Sequence, residues 1–171
     1  MSLLLNDALL NGKVGEVREA GGLYEITFTR RLARPAEKVW AALTVPERLA
    51  DWLAEAEVDL RVGGRFALYW ATHDYRMAGV ITELDPPRVF AWTWPSPEHP
   101  DSVVRWSLEP EEGGCRLTLR QTGLSAPPLR SVAAGWHTHL EGLQGAADGA
   151  RTPWRAERER ELAGLYAGLP A

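Results

Sequence analysis

The 171-residue sequence predicts a single α+β domain, in which a curved antiparallel sheet of about seven strands wraps around a long C-terminal helix. Over residues 23–32 and 55–124, apolar and polar residues alternate in short runs, as in strands with one buried face. Two short stretches between these regions have helical periodicity. The third observation is an apolar stripe over residues 128–148, the only long segment that could cover the sheet.

The sequence divides into residues 1–22, an N-terminal extension, residues 23–149, the domain itself, and residues 150–171, a charged helical tail. Cys115 is the only cysteine, which excludes an internal disulfide and a multi-cysteine zinc site, and favours a reducing cytoplasm. The net charge is −4 with acids and bases interleaved, so nucleic acid is not an expected partner. No apolar run has the roughly 18 residues of a membrane span, so we expect no membrane insertion.

The first strand and the two short helices follow from local patterns. Residues 23–32 place Ile26 and Phe28 on one side of a strand with threonines between them. Pro35 and Pro46 then begin two helical stretches, PAEKVWAALT and PERLADWL, because proline fits the first turn of a helix. We expect both helices to be structural.

Turn signals divide residues 55–124 into about six further strands, for which a meander is the simplest topology. Each strand has an apolar set expected to face the core. In order, the sets are Val58, Leu60 and Val62; Phe66, Leu68 and Trp70; Ala78, Val80 and Leu84; Phe90, Trp92 and Trp94; Val104, Trp106 and Leu108; and Leu117 with Leu119.

The long helix and the tail complete the predicted architecture. From Pro128 to Asp148, apolar residues recur at intervals of three and four, which predicts one buried helix face: Val132, Trp136, Leu140, Leu143 and Ala147. Residues 153–168 predict a second helix, an appendage that docks through Trp154, Leu162, Leu165 and Tyr166. The charged face of this tail also makes a homodimer possible.

Tryptophan is the most informative residue type, since the chain has 8 and five of them fall on the predicted sheet and long helix. Large rings can simply fill the core, but they also suit a pocket for a planar or isoprenoid molecule. We therefore predict a ligand-binding pocket between the sheet and the helix. Its walls are expected to be Phe66, Leu68, Trp70, Trp92, Trp94, Trp106, Trp136, His139, Leu140 and Leu143.

The histidines and other reactive residues do not form a recognisable catalytic or metal site. His137 and His139 are two apart, roughly 200° around a helix, so they cannot close on one metal ion. His139 could reach the pocket as a hydrogen-bond donor or proton carrier, whereas His73 and His99 fall at turns and are expected in solvent. No hydrolase elbow, phosphate loop or dinucleotide fingerprint occurs, and we expect no cofactor, metal or catalytic residue.

Several stretches, in this order and spacing, resemble the START-like (SRPBCC) superfamily, in particular its bacterial branch related to the C-terminal domain of the activator of Hsp90 ATPase. They are RPAEKVWAALTVPERLADWL, RVGGRFALYW, VITELDPPRVFAWTW and AAGWHTHLEGL. The resemblance covers residues 23–149 and implies the helix-grip fold, also called Bet v 1-like. That fold serves carriers, enzymes and interaction domains, so it does not decide the function.

Three functions stay open at this point. The leading expectation is the binding of a small hydrophobic molecule, lipid-like, polyketide-like or aromatic, in the internal cavity. The second is a cyclase or hydratase that uses the same cavity, which would need a paired acid and base at its deep end. The third is a protein-interaction domain like the Hsp90 activator, with a chaperone as its partner and an exposed apolar surface as its mark.

Overall fold

The computed structural model describes residues 13–126 and 129–170. In this part of the chain the strands are β1 Glu16–Ala20, β2 Leu23–Leu32, β3 Glu55–Val58, β4 Arg65–Trp70, β5 Tyr75–Asp85, β6 Val89–Thr93, β7 Val103–Glu111 and β8 Gly114–Leu124. The α-helices are α1 Ala36–Thr44, α2 Pro46–Trp52, α3 Leu129–Ala147 and α4 Ala156–Ala163, with single 3₁₀ turns at Ala71–His73 and Gly164–Tyr166. None of these helices is both long and apolar enough to cross a membrane.

The strands form one 8-stranded sheet in the order β1-β2-β8-β7-β6-β5-β4-β3, and every pair of neighbours is antiparallel. The predicted α+β fold, with two short helices after the long strand β2 and a long C-terminal helix, is confirmed. The additional strand, β1, comes from the predicted N-terminal extension. Gly21 and Gly22 join β1 to β2 with φ of +62° and +85°, the left-handed conformations that a two-residue hairpin turn requires.

The predicted inward-facing residues are wrong on two strands. On β5 the buried residues are Met77, Gly79 and Ile81, while Ala78 and Val80 face solvent. Gly79 has no side chain to reveal its orientation, and a Cβ there would lie 1.8 Å from the Thr93 carbonyl oxygen. A bulge after Ile81 then shifts the register, which is why Leu84 still packs against the core.

Two of the three residues assigned to the strand before Gly63 are also wrong, whereas Val58 packs against the core. β3 ends at Val58, and the chain turns back at once, with the Asp59 backbone N–H donating to the Arg65 carbonyl. Leu60 and Val62 therefore lie in the turn, exposed by 43% and 61%. The alternation of apolar and polar residues at 60–63 therefore does not reflect a strand.

The long helix α3 covers the inner face of the sheet through small and large apolar residues that are fully or almost fully buried: Leu129, Ala133, Ala134, Trp136, Leu140, Leu143 and Ala146. The Trp136 indole donates a 2.7 Å hydrogen bond to Gln121 Oε1 on β8. Gln121 Nε2 in turn donates to Ser102 Oγ at 2.8 Å, so this buried amide is satisfied at both ends. The helix is thereby fixed against the sheet by a polar contact as well as by apolar packing.

The C-terminal tail is fastened to the domain along much of its length. The Thr152 backbone N–H donates to the Asp51 carbonyl at 2.8 Å, and Arg158 of α4 donates to Glu141 of α3 at 2.7 Å. Leu162 and Tyr166 are buried, as expected of docking residues. The expectation for Leu165 is wrong, because its side chain is 55% exposed.

Tyr166 joins both ends of the chain to α3. Its hydroxyl accepts a 3.0 Å hydrogen bond from the Gly15 backbone N–H, just before β1. The same hydroxyl lies 2.7 Å from His137 Nδ1, and the two groups share a hydrogen bond. Both contacts are buried.

We expect Tyr166→Phe to lower the free energy of unfolding by about 1–3 kcal/mol, because it leaves the Gly15 N–H and His137 Nδ1 without partners in the interior. Urea unfolding followed by circular dichroism measures this change. Leu165→Ala, at the exposed neighbouring position, serves as the control and should stay within about 0.5 kcal/mol of the parent protein. Equal stability of Tyr166→Phe and the parent would contradict this role for the hydroxyl.

Candidate functional site

A cavity of about 580 Å³ lies between one end of the sheet, the first half of α3 and the segment that precedes α4. Its aromatic and apolar lining consists of Trp70, Tyr75, Trp94, Val132, Gly135, Trp136, His139 and Trp154. Its polar lining consists of His73, Ser96, Glu98, His99, Gln121, Ser131 and Glu159. Because several of the polar residues, such as His73, Glu98 and Ser131, are exposed, the cavity opens to solvent on this side.

The structure brings four of the ten predicted site residues to this cavity: Trp70, Trp94, Trp136 and His139. The other six lie in the packed core, with no more than 5% of their surface exposed: Phe66, Leu68, Trp92, Trp106, Leu140 and Leu143. Among these, Phe66 stacks on Trp92 with ring centroids 4.4 Å apart, so they fill space behind the wall. Ligand contact at the predicted residues stays a prediction.

Stacked and edge-on rings form the wall. Trp70 stacks on Trp94 with centroids 5.5 Å apart and an interplanar angle of 22°, and Tyr75 packs on Trp70 at 5.4 Å. The Trp94 indole donates to the Tyr75 hydroxyl at 3.3 Å, which fixes the ring orientation. Trp136 meets Trp94 edge-on, at 5.6 Å and 83°. The rings of the wall therefore pack on one another both face to face and edge to face, the two geometries that aromatic pairs prefer.

Gly135 leaves room in front of this wall. A Cβ built on Gly135 would have no atom within 4 Å, although the neighbouring positions Val132 and Trp136 also line the cavity. The helix face is therefore open at this point, and a larger residue would occupy cavity volume. From the sequence alone, Gly135 is only a residue with low helix propensity, and its position at the cavity is not predicted.

His139 is held in one tautomer by the end of α2. Its Nδ1 lies 2.9 Å from the Trp52 carbonyl oxygen, which can only accept, so Nδ1 carries the proton. Burial lowers the pKa of His139 to about 4, against a weaker opposing effect of this hydrogen bond, so the ring is neutral at pH 7. Its Nε2 then carries a lone pair that can accept a hydrogen bond.

His99 is a cavity residue that the sequence misplaced. It was expected in solvent, but only 7% of its surface is exposed, and burial lowers its pKa. The Ser125 backbone N–H donates to His99 Nδ1 at 2.9 Å and holds the ring against the wall. Since Ser125 is 26 residues away, no local pattern could have revealed this contact.

The tail also contributes to the cavity, which its prediction as an appendage does not include. The Trp154 ring lies over His139 with centroids 4.6 Å apart, and Glu159 of α4 lines the same opening. The anchor at Thr152 fixes the chain two residues before Trp154. The one indication of this contact in the sequence is that Trp154 is an isolated tryptophan in a strongly charged stretch.

The electrostatics of the cavity favour uncharged molecules. Glu98 and Glu159 are acidic, His99 and His139 have lowered pKa values, and no lysine or arginine is among the lining residues that the structure describes. An anionic ligand would thus have no counter-ion there, and burying an unpaired charge is costly. Within residues 13–126 and 129–170, no three His, Cys, Asp or Glu side chains come together as metal ligands would.

Acid should destabilise the protein most strongly through His137 and His139. Burial lowers the pKa of both His137 and His139 to about 4, from the 6.5 that is usual for histidine. Between these values the unfolded chain binds more protons than the native protein, so the free energy of unfolding falls as the pH drops from 6.5 towards 4. The slope is on the order of 1 kcal/mol per pH unit for each ring.

Urea unfolding at several pH values measures this slope, and NMR titration of the ring Cε1–H signals assigns it to individual histidines. In His137→Gln, which removes one of these rings, the slope should decrease by on the order of 1 kcal/mol per pH unit. Ring pKa values near 6.5 for both histidines in the native protein would refute the prediction.

Comparisons with known proteins agree with this architecture. CalU16 from Micromonospora echinospora superimposes with a TM-score of 0.72 and 29% sequence identity, covering 92% of this chain and 98% of that protein. The protein encoded by gene BPP1335 from Bordetella parapertussis gives a TM-score of 0.72 and 27% identity, covering 93% and 92%. EF2215 from Enterococcus faecalis, a conserved protein of unknown function, gives 0.73 over 97% and 99%, and its 17% identity supports the fold alone.

None of the curated proteins matches the sequence. The family described as Activator of Hsp90 ATPase homolog 1-like protein matches residues 33–148, which is more than half of the chain. This match includes α1, α2, the strands β3 to β8 and α3, and it ends before the tail that supplies Trp154. The chain therefore belongs to the family of activator of Hsp90 ATPase homolog 1-like proteins, within the START-like (SRPBCC) superfamily.

Proposed function

We propose that this protein binds a small, flat, uncharged and mainly apolar molecule in the cavity between the sheet and α3. The observation that carries the proposal is the stacked pair of Trp70 and Trp94, met edge-on by Trp136, beside an open volume of about 580 Å³. Rigid indole rings bury a large apolar area and lose little conformational freedom when a ligand binds.

The dimensions of the cavity suit a ligand of two to four rings. Pockets for small molecules usually have volumes of about 300–1,000 Å³, and the cavity lies within that range. Removing apolar surface from water contributes roughly 25 cal/mol per Å². A ligand that packs against the wall formed by Trp70, Trp94 and Trp136 would bury apolar ring surface.

The same setting supports the cytoplasm as the place of action. Cys115, the single cysteine, is fully buried in β8, and burial raises the pKa of its thiol to about 11. Such a thiol is almost entirely protonated at neutral pH and reacts slowly. The chain thus does not depend on an oxidising compartment for its stability.

We expect Trp70→Ala to weaken the binding of 2-methylnaphthalene, a flat apolar probe, by about 3- to 10-fold, because it removes one ring of the stacked wall. NMR titration of the indole N–H signals measures the affinity and shows which rings the probe approaches. Trp40→Ala is the matched control, since Trp40 packs on Phe90 and does not line the cavity.

Trp40→Ala should therefore bind the probe as the parent protein does, even where it unfolds at a lower urea concentration. The proposal fails if no indole signal of Trp70, Trp94 or Trp136 shifts in a saturable manner, or if both variants weaken binding equally. Native mass spectrometry of protein purified from its own host is the complementary measurement, since a retained molecule would give the mass of the natural ligand.

A further inference from the structure

We propose that the cavity selects aromatic molecules that carry a hydroxyl group, and that His139 Nε2 accepts the hydrogen bond of that hydroxyl. This inference rests on the proposed function, because it adds a polar contact to the apolar cavity. It makes His139 a specificity-determining residue, and it names a phenol as the chemical class of the ligand.

The hydrogen bond to the Trp52 carbonyl sets the tautomer of the His139 ring. Trp52 is the last residue of α2, and its carbonyl lies beyond the backbone hydrogen bonds of that helix, since both Leu53 and Ala54 donate to Leu49. The Trp52 carbonyl is instead 2.9 Å from His139 Nδ1. Because a carbonyl has no proton to give, Nδ1 donates, and the neutral ring presents only a lone pair at Nε2.

The lone pair of His139 Nε2 is accessible from the cavity. His139 lines the cavity, with the Trp154 ring over it at 4.6 Å and Trp136 edge-on at 6.3 Å. No group in the described part of the chain donates to Nε2, and this nitrogen is not among the atoms sealed from solvent. A molecule in the cavity can therefore reach it.

The indole N–H groups of Trp136 and Trp94 are already engaged, whereas Trp154 Nε1 and His99 Nε2 are sealed from solvent and have no hydrogen-bond partner among the residues that the structure describes. The Trp136 N–H is donated to Gln121, whose own amide donates to Ser102. The Trp94 N–H is donated to the Tyr75 hydroxyl. His139 Nε2 is thus an unused acceptor among aromatic rings, and a donor on the ligand gains a hydrogen bond there.

The chemistry of the ring limits what this donor can be. Burial depresses the basicity of His139, so the imidazole accepts a hydrogen bond from a phenol without taking its proton. Ionised ligands fit poorly, because Glu98 and Glu159 at the opening would repel a phenolate or carboxylate. The hydroxyl of a neutral phenol also stays in the plane of its ring, so the ring can lie against the tryptophans while the hydroxyl points at Nε2.

Three probes of nearly equal size test the inference. 2-Naphthol has the donor, 2-methylnaphthalene is its apolar isostere, and 2-methoxynaphthalene has the oxygen without the proton. The measured quantity is the ratio of the dissociation constant of 2-methylnaphthalene to that of 2-naphthol. In His139→Asn this ratio should fall on the order of tenfold, because the buried hydroxyl then loses its partner.

The variants separate the two ring nitrogens. The amide of His139→Asn reaches the position of Nδ1 and can still donate to the Trp52 carbonyl, but it places no atom at Nε2. The amide of His139→Gln reaches the position of Nε2 and should preserve part of the ratio. Trp70→Ala is the control within the cavity, because it should weaken both probes and leave their ratio unchanged.

A measurement on the parent protein does not depend on how the variants fold. In long-range ¹H–¹⁵N spectra, the His139 Nε2 resonance should move upfield with 2-naphthol and stay in place with 2-methylnaphthalene and 2-methoxynaphthalene. Equal ratios in the parent and in His139→Asn, or equal Nε2 shifts with all three probes, would overturn the role of His139 while leaving the binding proposal intact. If 2-methylnaphthalene and 2-naphthol both fail to bind, both proposals fall.

Discussion

The hydrogen bond from the Trp136 indole to Gln121 sets the position of α3, and the rest of the interior depends on that position. It places Trp136 edge-on between Trp106, at 5.5 Å, and Trp94, at 5.6 Å. The Trp106 side is closed core, whereas the Trp94 side borders the cavity. Trp136 therefore lies between the packed core and the cavity. The helix α3 cannot rotate or slide from this position without leaving the buried amide of Gln121 unpaired.

The N-terminal strand and the C-terminal tail add further contacts to the sheet and to α3. β1 extends the sheet at one edge, and the tail crosses α3 to bring Trp154 over His139. Tyr166 then ties these ends together through Gly15 and His137. Gly15, Trp154 and Tyr166 all lie outside residues 33–148, the part of the chain that matches the family, whereas His137 and His139 lie inside it.

The sequence predicted helices and strands well where the spacing of apolar residues directly reflects which side chains are buried. Ile26 and Phe28 on β2, and Trp136, Leu140 and Leu143 on α3, are buried as the patterns required. On β5 the pattern failed, because a glycine carries no signal and a bulge changes the phase. The wall of the cavity was only partly predictable, since period identifies which face a residue occupies but not whether other side chains fill the space before it.

That limit explains why Trp92 and Trp106 lie in the core while Trp70 and Trp94 border the cavity, although all four were assigned to one wall. His99 and Trp154 required contacts between distant segments, with Ser125 and with His139, and such pairings have no local signature. The tautomer of His139 likewise follows from a carbonyl 87 residues away. Tertiary packing therefore decides the polar chemistry of the cavity, whereas local periodicity decides most of the architecture.

The tryptophans form an unbroken series from Trp70 through Trp94, Trp136 and Trp106 to Trp52, with successive centroids between 5.5 and 5.9 Å apart. Electronic transition dipoles at such separations couple strongly, since their interaction falls with the cube of the distance. This coupling also depends on the angle between the dipoles, and the rings meet at 22° in the first pair and at 82–88° in the others. We therefore expect the near-ultraviolet circular dichroism of the protein to contain contributions from coupled indoles as well as from single rings.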